Sequence, residues 1–188
     1  GARLYLGDVR AQLRRLPACI VQTAITSPPY WGLREYLPEE HEHKSYEIGS
    51  EPSPDCGTHG QAQCGRCFVC VLVGVCRDIY RVLRDDGVFW LNLGDTYIGG
   101  GRGGHDGMGE RQYDKGQRYS PVNKHEEPPF TDYQPSFKGL PPGNLVGIPW
   151  RVALALQRDG WILRQDNIWY AKNKMPESVI SRCSKAHE

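Results

Sequence analysis

No apolar run in this 188-residue chain approaches the roughly 18 residues that a membrane span requires. The N-terminus has no basic stretch leading into an apolar one, so no export signal is legible. Excess charge is lacking as well: 23 Lys and Arg face 22 Asp and Glu, a net charge of +1. That balance argues against a dedicated polyanion scavenger, yet it leaves room for a local basic face. Internal repeats are absent. A chain of this length can bury roughly 70% of its unfolded surface without staples, and 39% hydrophobic residues is ordinary globular composition. The missing export signal also decides how the seven cysteines are read. Four of them crowd between Cys56 and Cys70, and in a cytoplasmic protein such a cluster points to metal rather than to a disulfide framework. Position 1 is Gly rather than Met, and the chain stops at Lys185-Ala186-His187-Glu188 without a tail or breaker, which suggests a piece of a longer protein.

What is present is an alternation of helix and strand patterns. Val9, Leu13 and Leu16 share one helical face, with arginines opposite, and Pro17 ends the helix. Cys19 to Ile25 is β-branched and apolar, the pattern of a buried strand. Val71 to Arg84 places Leu72, Val75, Ile79 and Val82 near the helical period, followed by an Asp85-Asp86-Gly87 turn and a second buried strand, Val88 to Leu93. A helix is expected over Val146 to Arg158, with Pro149 tolerable in its first turn, and a third strand over Trp161 to Tyr170. Arg34 to Ser53 is charged and reads as a loop. Between Gly99 and Gly143 stand ten Gly and six Pro, too long an irregular stretch for an ordinary connection. This order implies an α/β fold with a parallel sheet, whose ligands bind outside the carboxyl ends of the strands. Gly7-Asp8, Ser27 to Tyr30, Gly94-Asp95 and Lys172-Asn173 are all expected along that edge. Trp150, Trp161 and Trp169 read as core.

Ser27-Pro28-Pro29-Tyr30 is the most informative tetrapeptide. Two consecutive prolines fix an extended course. Pro29 has no amide hydrogen, so the Pro28 carbonyl is left to accept a bond from a ligand. Ser27 offers a second acceptor, and Tyr30 an aromatic face. Two acceptors beside a stacking ring suit a flat group bearing an NH2, such as the exocyclic amine of a nucleobase.

With these residues the chain resembles the β-class DNA amino-methyltransferases, which modify the exocyclic nitrogen of cytosine or adenine. The resemblance runs through Gly7-Asp8 and Thr26 to Trp31, Arg81 to Gly87, and Trp90 to Tyr97. It continues through Gly147 to Arg151, Ile168-Trp169, and Met175-Pro176-Glu177-Ser178. It implies a Rossmann-like methyltransferase domain acting on double-stranded DNA with S-adenosylmethionine, in company with a cognate restriction endonuclease. The implied catalytic set is Ser27, Pro28, Pro29 and Tyr30. The target base is flipped out, its amine held between the Ser27 hydroxyl and the Pro28 carbonyl, with Tyr30 stacked on the ring. No Pro-Cys dipeptide occurs, so the nucleophile of carbon-5 cytosine methylation is missing. A serine opening the motif goes more often with N4 of cytosine, leaving N6 of adenine as the alternative. The resemblance also implies that Asp8 contacts the cofactor. The family's Phe-x-Gly-x-Gly cofactor loop is not found, so residues 1–188 read as a partial catalytic domain whose Gly-rich cofactor half is missing. The Gly99–Gly104 run does not substitute for that loop.

Two insertions interrupt the domain. One, 54–70, carries Cys56, Cys64, Cys67 and Cys70, the spacing of a tetrathiolate structural zinc site. His59 is an alternative fourth ligand. The triplet also resembles an iron–sulfur run without its Cys-Pro, and reduced packed thiols are the remaining reading. The other is the loop 99–143. There Arg102, Arg111, Lys115 and Arg118 alternate with Tyr113 and Tyr119, as phosphate contact and stacking would need, but matched acids weaken that case. The rival of another class is a zinc-stabilised nucleic-acid-binding module without catalysis.

Overall fold

The computed structural model describes residues 1–33, 35–57, 64–98, 140–141 and 144–172. His59, nearly all of the 99–143 loop, Asn173 and the Met175–Ser178 segment lie outside the described residues. Among the described residues, three helices and two strands follow one another: α1 (Val9–Arg14), β1 (Val21–Thr26), α2 (Phe68–Val82), β2 (Leu83–Leu91) and α3 (Ile148–Arg158), with a 3-10 turn at Lys44–Tyr46.

Helix α2 is the spine. Phe68, Val69, Cys70, Leu72, Val73, Val75, Cys76, Ile79 and Val82 are buried along it, more than one stripe, because it packs against both the sheet and α3. Its first turn, Phe68 to Cys70, precedes the expected start at Val71. The thiol of Cys67 caps it by accepting from the Cys70 amide at 3.4 Å. The main core gathers around Phe68, with Trp31, Leu72, Leu93, Ile98, Val146, Ile148, Val152 and Leu156. A second cluster of Val75, Ile79 and Leu83 takes in Val21, Ala24 and Phe89 of the sheet.

β1 and β2 are parallel, with Ala24 opposite Phe89, Ile25 opposite Trp90 and Thr26 opposite Leu91. The expected turn at Asp85-Asp86-Gly87 lies inside β2 as an irregularity. Val21 pairs with Leu83 but Thr23 pairs with Val88, so the intervening residues of β2 bulge out. The Gln22 side-chain amide donates to the Asp86 carbonyl at 3.0 Å there. Reading β1 and β2 as strands buried on both faces overstates the burial among the described residues. Ala24, Phe89 and Leu91 face the core, but on the other face Ile25 is 77% and Trp90 50% exposed. The apolar run records the chemistry of the side chains and not the number of layers present.

The expected third strand, Trp161 to Tyr170, is not a strand. Apart from one bridge residue at Tyr170, the segment is irregular and unladdered, with Ile162 78% exposed. β-propensity does not make a ladder when no described neighbour offers its backbone groups. Two of the tryptophans expected in the core are outside it: Trp150 and Trp169 are exposed. Trp161 does pack inward, edge-on to Tyr80 at 5.0 Å and tilted against Phe89 at 5.2 Å. The ends of the 99–143 segment are held side by side, since the Ile98 amide donates to the Asn144 carbonyl at 2.8 Å and the Val146 amide to Thr96 at 2.9 Å.

Candidate active site

Ser27 follows directly on the last residue of β1, at the carboxyl edge of the sheet where an α/β fold presents ligands. The Asn92 amide donates to the Thr26 carbonyl at 3.0 Å, extending the ladder one residue beyond β2. That bond sets the Asn92 side chain beside the turn. Its Nδ2 donates to Tyr30 Oη at 2.9 Å and to Ser27 Oγ at 3.4 Å, and the two hydroxyls lie 3.3 Å apart. Ser27, Tyr30 and Asn92 therefore form one polar triangle. Asn92 is the member that sequence reasoning missed; its only signal was its place just past a strand's carboxyl end. The triangle also gives the Tyr30 hydroxyl a task that the stacking argument left out, since it orients Ser27.

Ser27 is exposed, while Pro28, Pro29 and Tyr30 are half-buried. Among the described residues nothing donates to the Pro28 carbonyl. The Pro28 carbonyl thus stands open beside the exposed Ser27 hydroxyl, which keeps one lone pair beyond its contacts with Asn92 and Tyr30. Close backbone contacts position the Tyr30 ring. A Cβ on Gly94 would lie 2.5 Å from Tyr30 Cε2, and one on Gly49 would lie 3.1 Å from the Tyr30 carbonyl oxygen and 3.3 Å from Pro29 Cβ. Gly49 also has φ of +102°, which only glycine adopts without strain.

The charged stretch expected as a loop is one over its described residues 35–53, apart from the 3-10 turn, and it braces the Ser27–Tyr30 turn. The Gly49 carbonyl accepts from Gly32 at 2.9 Å, and the buried Trp31 indole donates to the Glu51 carbonyl at 2.8 Å. The Glu51 carboxylate accepts from the Gly49 amide at 2.9 Å. Burial pushes the Glu51 carboxyl above its ordinary value, outweighing that bond and the pull of Arg10. Burial would raise Glu47 too, but the Lys44 ammonium at 2.9 Å and the Tyr36 and Leu37 amides overcome it, so Glu47 is held below its ordinary value.

Asp8 and Asp95 both serve as helix caps. Asp8 Oδ1 accepts from the Arg10 and Ala11 amides at 3.0 and 3.1 Å, and its other oxygen pairs with the Arg10 guanidinium at 2.9 Å. The arginine lowers the Asp8 pKa. Asp95 accepts from the Gly147 and Ile148 amides, both at 3.0 Å, and from its neighbour Thr96 at 2.9 Å. It caps α3.

The four cysteines 56, 64, 67 and 70 come together, with all four sulfurs within 4.8 Å of one another. Asp55, beside them in sequence, pairs with Arg151 of α3 at 2.7 Å.

A family model described as DNA methylase matches residues 21–188, most of the chain and all of the polar triangle. The chain belongs to the DNA methylase family. Among curated proteins this family member is 40% identical over 188 residues to the Type II methyltransferase M.XycI of Xanthomonas campestris pv. cyanopsidis, covering 100% of this chain and 52% of that protein. It is 41% identical over 188 residues to the Type II methyltransferase M.Cfr9I of Citrobacter freundii, with 100% and 52% covered. To the Type II methyltransferase M.SmaI of Serratia marcescens it is 37% identical over 186 residues, with 99% and 53% covered. The chain thus spans about half the length of the curated relatives it matches. No solved structure matches it.

Proposed function

We propose that this DNA methylase chain carries the target-base half of a Rossmann-like, site-specific methyltransferase. The enzyme would act in the cytoplasm on double-stranded DNA and transfer a methyl group from S-adenosylmethionine to N4 of a flipped-out cytosine. The observation that carries the reading is the pairing, at the end of β1, of the undonated Pro28 carbonyl with the exposed Ser27 hydroxyl, which Asn92 and Tyr30 hold in place. An exocyclic amine donating to both has its nitrogen lone pair turned away from them, toward an incoming methyl. The nitrogen attacks directly, the bond from methyl to sulfur breaks, and the amine's spare proton leaves to solvent; no covalent enzyme intermediate is required. The chain's contribution is positioning, with Tyr30 adding ~1–3 kcal/mol of stacking.

S-adenosylmethionine supplies the electrophilic methyl. Of the residues present, Asp8 is the carboxylate we assign to the cofactor's hydroxyl or ammonium groups, a contact it would make in exchange for its pairing with Arg10. The relatives are named Type II methyltransferases, which favours a restriction-modification role with a cognate endonuclease.

The test is methyl transfer from labelled S-adenosylmethionine to double-stranded DNA by the full-length protein, with nucleoside analysis of the product. Label in N4-methylcytosine supports the reading. Label in N6-methyladenine moves the target to adenine. DNA binding without transfer favours the nucleic-acid-binding module.

A further inference from the structure

Cys56, Cys64, Cys67 and Cys70 are not used by the chemistry above, yet they are the most concentrated set of ligating atoms among the described residues. Their four sulfurs lie within 4.8 Å of one another, with Cys56 and Cys70 at 3.6 Å. None of the four is in a disulfide. Zinc–thiolate bonds of about 2.3 Å around a tetrahedron put the sulfurs about 3.8 Å apart, so this cluster needs only a slight contraction to hold one ion. An iron–sulfur cubane spreads its four thiolates over separate irons, farther apart than a single ion does, and a disulfide would draw two sulfurs into bonding contact and leave the other two aside.

The backbone around the sulfurs is arranged for thiolates. The Arg66 and Cys67 amides point at Cys64 Sγ, at 3.4 and 3.3 Å, and the Cys70 amide points at Cys67 Sγ at 3.4 Å. Gly65, at φ +68°, makes the tight knuckle that turns those amides inward. Cys67 and Cys70 lie at the N-terminus of the 15-residue helix α2, where the macrodipole favours negative charge. Such outer hydrogen bonds are what fix ligating atoms in place.

From this arrangement we infer that Cys56, Cys64, Cys67 and Cys70 form a tetrathiolate zinc site that is structural and joins the starts of α2 and α3. On binding, four S–H protons leave to solvent, four sulfur–zinc bonds form, and nothing is oxidised or reduced. With all four positions taken by sulfur, none is open for substrate. The join runs through the residues just before Cys56. The Ser53 and Pro54 carbonyls accept from the Phe68 and Val69 amides, both at 3.0 Å, closing the first turn of α2, and Asp55 reaches Arg151 in α3. The ion therefore clips the 53–56 segment to the helix it caps. This inference does not depend on methyl transfer.

The test is elemental analysis of full-length protein purified without chelator, with amide exchange of Phe68 to Val71 measured before and after zinc is stripped. Expected are about one zinc per chain, a fall of at least tenfold in bound zinc in C64S/C67S, and unchanged zinc in C19S, whose cysteine is exposed and outside the cluster. Exchange at α2's first turn should rise at least tenfold on stripping. Zinc below about one per ten chains in the wild type overturns the inference, as does iron with visible absorption, full zinc retention in C64S/C67S, or first-turn exchange indifferent to stripping. Because wild-type metal content is read directly, a variant that fails to fold leaves the test intact.

Discussion

The starts of α2 and α3 solve one problem with different chemistry. Each helix begins in the core and must satisfy amides that have no partner within the helix. At α3 the Asp95 carboxylate alone takes two of them, Gly147 and Ile148, while Pro149 brings no amide at all. At α2 the task is shared among two backbone carbonyls from Ser53 and Pro54 and the sulfur of Cys67. A carboxylate is charged and complete by itself over the ordinary pH range. A thiol is a weak acceptor that strengthens only as thiolate. The cap of α3 is thus fixed by the sequence alone, whereas the cap of α2 depends on the state of its sulfurs. The two are tied through Asp55 and Arg151, and both flank the Ser27–Tyr30 turn. Asp95 follows Gly94, which touches the Tyr30 ring, and Ser53 follows the Glu51 brace.

The most severe way to break the comparison is to replace each cap in turn, with and without chelator. Cys67→Ser should cost more than about 3 kcal/mol in zinc-loaded protein. In stripped protein it should cost nothing or stabilise slightly, because a hydroxyl caps better than a thiol. Asp95→Ala should cost about 2 kcal/mol in both conditions. Denaturant unfolding of the four samples checks this, and equal chelator dependence for both variants would erase the distinction.

Next in size is the separation of chemistry from scaffold. Ser27 is exposed and caps nothing, so Ser27→Ala should lower turnover by at least ~10²-fold while leaving the unfolding midpoint and DNA affinity nearly unchanged. Gly94→Ala should lower both turnover and stability, the latter by about 1–2 kcal/mol, because the ring of Tyr30 must move off a Cβ 2.5 Å away. Full activity in Gly94→Ala would remove the triangle's claim to precision.

The smallest effect concerns the brace. Because burial raises Glu51, folding favours its protonated form. Its contribution is intact below the ordinary carboxylate range and is lost as pH rises through the raised value. Glu51→Gln keeps an acceptor for the Gly49 amide without the charge. It should be more stable than the wild type at neutral pH by less than about 1 kcal/mol, with the difference vanishing in acid. Parallel unfolding series across pH would reveal a constant offset if this account of Glu51 is wrong.

Much of this was legible from residue order. The helical period of Leu72, Val75, Ile79 and Val82 located α2, and the β-branched run before two prolines located β1 and the turn after it. The cysteine spacing also marked the four residues whose sulfurs converge. What stayed hidden depends on partners distant in sequence. Asn92 acquires a role only because the parallel register sets it beside Ser27, 65 residues earlier. Asp95 reads equally well as a site residue or a cap until its contact with Gly147, 52 residues on, is known. The pattern of Trp161 to Tyr170 carries strand propensity but cannot say which neighbour it pairs with. Exposure of Trp150 and Trp169 likewise depends on which layers surround them and not on their own hydrophobicity.

The bulge in β2 bears on how insertions and deletions are tolerated. Between the pairs Val21–Leu83 and Thr23–Val88, β1 advances two residues and β2 five. The surplus of three is odd, so the two strands cannot both keep their alternation across it: Leu83, Phe89 and Leu91 of β2 stay on the inner face with Val88 and Trp90 outward, and β1 changes phase, Val21 and Ala24 both packing inward although three residues apart. Sliding either strand by a single residue would drive Trp90 toward the crowded side of α2 and bring Phe89 into water. The frame of β1 is therefore locked at the end remote from the chemistry. Deleting one residue between Thr23 and Thr26 would turn Ser27 to the opposite side of the sheet and leave Asn92 facing the wrong side chain. Altering the length of the irregular segment by two would keep every side chain's orientation and should be far better borne.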